Sequence, residues 1–400
     1  MSKQSNIPQL RFKGFEGEWE RGKLNKFAVI NPKNSELPES FIYIDLESVT
    51  DGLLIKESII SKNEAPSRAQ RILKDKDILY QTVRPYQKNN LYFDKTGNYV
   101  ASTGYAQIRT KNDSKFLFQF LHTEGFVTNV MLRCTGTSYP AINSSDLSNI
   151  EISFPTLPEQ EKIASFLSAV DEKIQQLTSK AALLEQYKKG VMQQLFSGKL
   201  RFKDENGEEY ADWEEKKLGE VADFYKGKGL PKNDIVENGK YKCLHYGELF
   251  TKYKESISNI ISSTNTYDKP FLSIINDVSM PTSDVTPNGL ATASCINEND
   301  VILGGDVLVI RQKVKFFDGI FFSYYVTQNR EKVMKLVSGS TVYHLYGSDM
   351  KKMEIQIPCL AEQQKIAGFL SGIDEKIGVV RGELEKMQGF KKGLLQQMFV

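Results

Sequence analysis

Three histidines, four cysteines and two Asp-Glu-Lys triplets are the residues of this chain best suited to chemistry. His122, His245 and His344 show neither HExxH nor HxH spacing, so no metallohydrolase pattern forms. Cys134, Cys243, Cys295 and Cys359 lie far apart without a CxxC pair. That usage argues against a zinc site or a disulfide framework and fits a reducing cytoplasm. Asp171-Glu172-Lys173 and Asp374-Glu375-Lys376 place carboxylates beside a lysine, as some nucleases do. On a helix, neighbouring side chains point about 100° apart and do not converge, so these triplets are expected to be solvated helix faces. A GxxxxGK[ST] phosphate loop is missing, since Gly227-Lys228-Gly229 continues differently. Asn31-Pro32-Lys33 does not supply the Asn-Pro-Pro-aromatic stretch of an adenine-amino methyltransferase, and no GxSxG elbow occurs. The chain carries no catalytic constellation of its own.

What remains is polar recognition chemistry. Between Lys62 and Lys115, basic residues outnumber acidic ones about two to one, with Tyr80, Tyr86, Tyr92, Tyr99 and Tyr105 interleaved. Lysine and arginine neutralise phosphates with release of counterions. Arginine can read guanine edges, and asparagine or glutamine can read adenine. Arg84-Pro85-Tyr86-Gln87-Lys88-Asn89-Asn90 has the composition of such a reading loop. Arg68, Arg84, Tyr86, Lys88, Asn89 and Tyr105 are therefore the first candidate contacts. Further along, Lys228, Tyr246, Thr282, Ser283, Arg311 and Lys313 offer the same chemistry. Thr135–Ile142 (TGTSYPAI) aligns with Ser338–Leu345 (SGSTVYHL), which adds Thr137, Ser138, Tyr139, Ser340, Thr341 and Tyr343. Exposed glycine, hydroxyl and tyrosine groups approach phosphates closely.

These candidates must be held by the frame that repeats. LPEQEKIASFLSAVDEKIQQL, from Leu157, returns as LAEQQKIAGFLSGIDEKIGVV from Leu360, and YKKGVMQQLF returns as FKKGLLQQMF. Roughly half of the aligned positions are identical, an internal repeat. In each copy, apolar residues recur at spacings of four and three, from Ile163 to Leu195 and from Ile366 to Met398. That narrow stripe predicts a coiled-coil helix of about 38 residues, about 57 Å long. Lys188 and Lys391 interrupt the two seams at matching places. An LRFK segment followed by Trp-Glu precedes each variable region, at Leu10–Lys13 and Leu200–Lys203. The repeat unit is thus a whole half, about 1–197 and 198–400. The first helix must run from the first variable region to the second, and the second helix should return, antiparallel to it.

Between those landmarks the chain reads as mixed α/β. Strands are expected at Phe41–Leu46, Asp77–Val83, Ile150–Phe154 and Ile355–Ile357, with Val301–Ile310 a strand pair around a glycine turn. Single helices are expected at Leu117–Cys134 and Phe321–Val337. The composition, 40% hydrophobic and 26% charged over 400 residues, is that of a soluble protein of two or more domains. A net charge of +2 does not advertise a nucleic-acid binder, but acidic helices can mask basic faces. Neither a signal peptide nor a bilayer-spanning run is apparent, so no membrane partner is expected.

Taken together, Pro155–Lys173 (PTLPEQEKIASFLSAVDEK), Pro358–Lys376 (PCLAEQQKIAGFLSGIDEK), the repeated LRFK lead-in and the Gln-rich helix ends resemble the specificity subunit of type I restriction-modification systems. Ala361 stands where the first copy has Pro158. The resemblance implies an α+β chain with a pseudo-twofold internal repeat. Target recognition domains would span 1–155 and 198–357, with antiparallel spacer helices at 156–197 and 358–400. It implies a non-catalytic reader of a bipartite sequence in double-stranded DNA. Two modification subunits would carry S-adenosylmethionine, and restriction subunits would use ATP and Mg; this chain would bind no cofactor or metal. The competing readings are a stand-alone methyltransferase or nuclease, and a coiled-coil adaptor that never touches DNA.

Overall fold

The computed structural model describes residues 6–34 and 36–400. Its contacts divide the chain into Met1–Ser179 with Arg381–Val400 (unit 1) and Lys180–Val380 (unit 2). The long helices Leu157–Phe196 and Leu360–Gln397 each start in one unit and finish in the other. Each unit therefore holds the start of one long helix and the end of the other.

Unit 1 contains two four-stranded sheets. The first runs Ser58–Ser61, Ser40–Ile44, Tyr99–Ser102, Ala69–Ile72, with its central pair parallel. The second runs Ala28–Ile30, Tyr105–Thr110, Ile78–Gln81, Leu91–Tyr92. Unit 2 repeats the plan with two five-stranded sheets, one centred on Asp277–Pro281, the other carrying the parallel pair Tyr241–Leu244 and Ile302–Leu303. In both units a two-stranded ribbon, Glu20–Lys23 with Glu151–Phe154 or Glu214–Lys217 with Glu354–Ile357, leads into a long helix.

Two expectations need correction. Residues 117–134 form two helices, Ser114–Phe120 and Glu124–Met131, because Thr123 caps the second by accepting the Phe126 N–H. The counterpart splits likewise, into Gly319–Gln328 and Arg330–Met334. Ile302–Leu303 and Val307–Gln312 are not a hairpin but members of different sheets. Gly304 and Gly305 carry the chain between them, their N–H groups donating to Leu244 and Gly229 carbonyls.

The duplicated residues build the frame. The arginine of each LRFK segment forks onto the glutamate that opens a long helix. Arg11 Nε and Nη2 both lie 2.8 Å from the Glu159 carboxylate. Arg201 Nη2 lies 2.7 Å from Glu362. Both glutamates are buried, so the forked geometry compensates their lost hydration. The following glutamines, Gln160 and Gln363, each accept from a helix-capping aspartate N–H (Asp113 or Asp318) and donate to the proline carbonyl five residues back. The LRFK phenylalanines stack edge-on against the helices, Phe12 on Phe166 and Phe202 on Phe369. Leu10 N–H donates to Gln397 as Leu200 N–H donates to Gln194, so the start of the chain meets the second helix as the inter-half segment meets the first.

The lysines that break the seams complete it electrostatically. In unit 2, Lys188 lies 2.7 Å from Asp374, which also accepts from the Tyr324 hydroxyl. In unit 1, Lys391 lies 2.6 Å from Asp171, which accepts from Gln119. The aspartates of the two Asp-Glu-Lys triplets are thus not free solvated carboxylates but partners of the opposite helix. A charged pair that matches in one register only favours that register over slipped alternatives.

Candidate nucleic-acid interface

In unit 1 the reading loop and the Gly-Thr-Ser loop come together. Val83 bridges Ala141, the Arg84 N–H donates to Pro140 O at 2.7 Å, and the Ile142 N–H to Thr82 O at 3.0 Å. The Arg84 guanidinium lies over the Tyr139 ring, 4.1 Å from its centroid. Thr137, Ser138 and Tyr139 are exposed on this loop. Gly136, at φ +88°, closes it, since a side chain there would press on Tyr139 O. Thr82 N–H donates to Gly104 O, and Thr103 N–H to Arg68 O, which brings the exposed Arg68 to the same edge. A short helical turn, Pro85–Gln87, presents Tyr86 to solvent. Arg84 and Lys88, which flank it, both have left-handed backbones, φ 53° and 54°. Non-glycine residues seldom adopt that conformation, and it clusters at functional sites.

The back of this loop is clamped. Lys88 pairs with Glu124 at 2.9 Å and donates to His122 O. Asn89 donates to Val49 O. Asn90 sits 3.3 Å from His122 Nε2, while His122 Nδ1 lies 2.7 Å from Phe118 O. A neutral imidazole with its proton on Nδ1 satisfies both contacts. Withdrawal from water pushes the His122 pKa down to about 4, over the opposing pull of the Phe118 carbonyl to which the ring donates. The unfolded chain takes up that proton near pH 6.5, so stability is intact above that value and falls as pH drops toward 4. We expect a loss of up to about 3 kcal/mol by pH 4. Thermal melts of His122→Gln should be less acid-sensitive than those of the parent over this range.

Unit 2 builds the same cradle. Thr282 N–H donates to Asp306 O, and Leu345 N–H to Thr282 O, as at Thr82. Ser283 pairs with His344 and Asp284 with Tyr343 in a two-stranded ribbon. Ser338 and His344 exchange N–H bonds as Thr135 and Ala141 do. Gly339, at φ +111°, matches Gly136. Ser340 and Thr341 are exposed, Ser283 and Tyr343 half-buried, and Thr282 buried. Lys228 is exposed, with its N–H on Leu303 O beside the 304–306 turn that Thr282 touches. Tyr246 is half-buried and packs edge-on to Phe250.

Three sequence candidates do not belong to these edges. Tyr105 is fully buried in the core, and its hydroxyl is pushed well above its ordinary pKa by burial. Arg311 forks onto buried Asp277, with Nε at 2.8 Å and Nη2 at 2.7 Å. Arg109 does the same to Asp77, so this pair belongs to the frame. Lys313 donates to Gly219 O and lies one residue past Val307–Gln312, about 20 Å along the strand from the 304–306 turn. Asp284, Val285 and Tyr346 are edge residues the sequence reading missed; their only signal was adjacency to the Thr282-Ser283 and SGSTVYHL segments. Among the described residues, no group of three or more His, Cys, Asp or Glu could hold a metal ion. Among the same residues, no helix is long and apolar enough to cross a membrane.

The family profile of the type I restriction modification DNA specificity domain matches twice, over residues 17–186 and 210–388. The chain belongs to that family. The MjaVIII specificity subunit of Methanocaldococcus jannaschii is 26% identical over 98% of this chain and 95% of its own length. The putative MjaX specificity subunit of the same organism is 28% identical, over 64% of this chain and 60% of that one. Among solved structures, the S subunit of the type I system from M. genitalium superposes with a TM-score of 0.63 at 18% identity, covering 98% of this chain and 99% of that one. A chain from a study of complex assembly and conformational transition in a type I system gives a TM-score of 0.56 at 20% identity, covering 96% and 98%. The fold is therefore that of a specificity subunit: two mixed α/β recognition domains with two long helices. Such a subunit sets the DNA target of its restriction-modification complex and is not itself the catalyst.

Proposed function

We propose that this specificity subunit reads a bipartite, asymmetric DNA target, one half-site per recognition domain, in the major groove. Residues 1–155 and 198–357 are the readers; 156–197 and 358–400 are the spacers. The observation that carries this reading is the matched pair of loop clusters, at 82–86 with 137–142 and at 282–287 with 340–345. They share their backbone bonds but not their exposed side chains. A common frame with unlike tips suits two readers of unlike sequences. Helices of 40 and 38 residues extend about 60 and 57 Å. DNA advances about 34–36 Å per turn, so half-sites roughly a turn apart leave untouched base pairs between them.

The helices also offer docking surface to two modification subunits, which bring S-adenosylmethionine and methylate adenine. Restriction subunits with ATP and Mg join that complex in the cytoplasm. Arg68, exposed beside the unit 1 edge, suits a phosphate contact. Arg68→Ala should weaken binding evenly across sequences and lower the slope of log affinity against log salt by about 1. Anisotropy titrations of the complex with its modification subunit, at several salt concentrations, measure this. A salt-independent affinity in the parent would contradict DNA reading by charged contacts and favour the adaptor alternative.

A further inference from the structure

The two cradles superpose residue on residue through their hydrogen bonds. Thr82 and Thr282 each accept the N–H of the residue that closes the facing loop, Ile142 or Leu345. Counting two residues on from each threonine gives Arg84 in unit 1 and Asp284 in unit 2, so equivalent positions of the two cradles carry opposite charges. Counting three back from the facing residues gives Tyr139 and Val342, both exposed.

Both charged groups are held in place. Arg84 is fixed by its N–H bond to Pro140, its left-handed backbone and the Tyr139 ring. The Asp284 carboxylate accepts the Val285 N–H at 2.7 Å and the Thr286 hydroxyl at 2.9 Å. Gly289 makes room for it, since a Cβ there would sit 1.7 Å from Asp284 Oδ2. Each carboxylate oxygen has two lone pairs, so each keeps acceptor capacity beyond these bonds. Around Asp284 the tip is apolar: Val285, the most exposed of the three at 73%, follows it, with Val342 across the ribbon and Phe250 behind. A carboxylate among valines repels phosphate. In a protein-DNA interface it can serve by accepting the amino group of a base.

Resting on the reading above, we infer that Arg84 and Asp284 are the matched base-reading residues of the two half-sites. Arg84 donates to O6 and N7 of a guanine. Asp284 accepts the exocyclic amino group of a base in the major groove, cytosine N4 or adenine N6. A two-stranded ribbon such as Ser283–Asp284 with Tyr343–His344 is a shape the major groove admits.

The test uses the whole chain with its modification subunit. Methylated adenines are mapped by long-read sequencing for the parent, Arg84→Ala, Asp284→Ala and Asp284→Asn. Asparagine keeps an acceptor for the Val285 N–H, so a carboxylate that merely closes its own turn would leave a cytosine at that position unchanged in Asp284→Asn, and Asp284→Ala decides the case of an adenine. We expect Arg84→Ala to relax one guanine in one half-site. Asp284→Ala should relax one position in the other half-site, with discrimination falling roughly 5- to 150-fold, whereas Asp284→Asn should turn a cytosine at that position toward adenine, which asparagine reads through N6 and N7. Unchanged motifs in both halves, or relaxation of the same half by both residues, would overturn the inference. If a variant gives no methylation, the parent complex decides by binding duplexes with single replacements. Pyrimidin-2-one for cytosine or purine for adenine removes the amino group, and 7-deazaguanine removes N7. Fivefold or greater weakening at one amino-bearing base of one half-site and one guanine of the other supports the pairing; the pyrimidinone and purine arms say which base Asp284 reads. Less than twofold loss at every position refutes it. A parent that yields no bipartite motif would instead sink the functional reading on which this rests.

Discussion

Arg11→Met should destabilise unit 1 by about 3–5 kcal/mol, the usual cost of stranding one partner of a buried ion pair. Glu159 is only 1% exposed and loses both of its 2.8 Å bonds in this variant. For a unit of this size, that corresponds to a fall in melting temperature of roughly 6–20 °C. Arg201→Met should act alike on unit 2 through Glu362, whose side chain is 0% exposed. Replacing both partners with apolar residues should recover much of the loss, because no buried charge is then left unpaired. Calorimetry of the single and double variants measures this. A single variant melting within a degree of the parent would show that the fork adds nothing to the frame.

Exchange of residues 25–150 for those of another family member should change one half-site completely and leave the other intact. The expectation follows from where the repeat lies. Arg11, Glu159, Gln160, Lys391 and Asp171 form the frame of unit 1, and all of them fall outside 25–150. Arg68, Arg84 and Tyr139 fall inside it. The frame contacts made by Asp113 and Gln119 come from inside the exchanged segment, so an incoming domain must supply an equivalent cap and an equivalent hydrogen-bond donor. The pair Gln119 and Tyr324 shows that the donor need not be the same residue. Altered recognition in both halves would mean that the readers are not independent.

The sequence displayed the duplication, the long helices and the equivalence of the 135–142 and 338–345 loops, because those are local patterns or self-similarities. It did not display what the repeated residues do. LRFK and the Glu-Gln pair were visible as a repeat, but Arg11 meets Glu159 across 148 positions, and no spacing rule links them. Lys188 and Lys391 read as flaws in a seam because their partners, Asp374 and Asp171, lie on the other helix. Tyr105 and Arg311 went wrong for a related reason. Composition says that a segment is basic and aromatic, but Tyr105 is in the core because its strand is covered on both faces there, with Tyr105 to Ile108 all buried, and that covering comes from packing the sequence does not announce. Asp284 is an acid, so it carries no signal in a pattern of basic and aromatic residues.

The central claim is that one chain holds two unlike DNA readers at a fixed separation. Mapping every methylated adenine in cells that express this subunit with its modification partner tests it most directly. The expected motif has two different short specified blocks with an unspecified gap of constant length between them. A single uninterrupted motif, or two blocks whose separation varies from site to site, would contradict it.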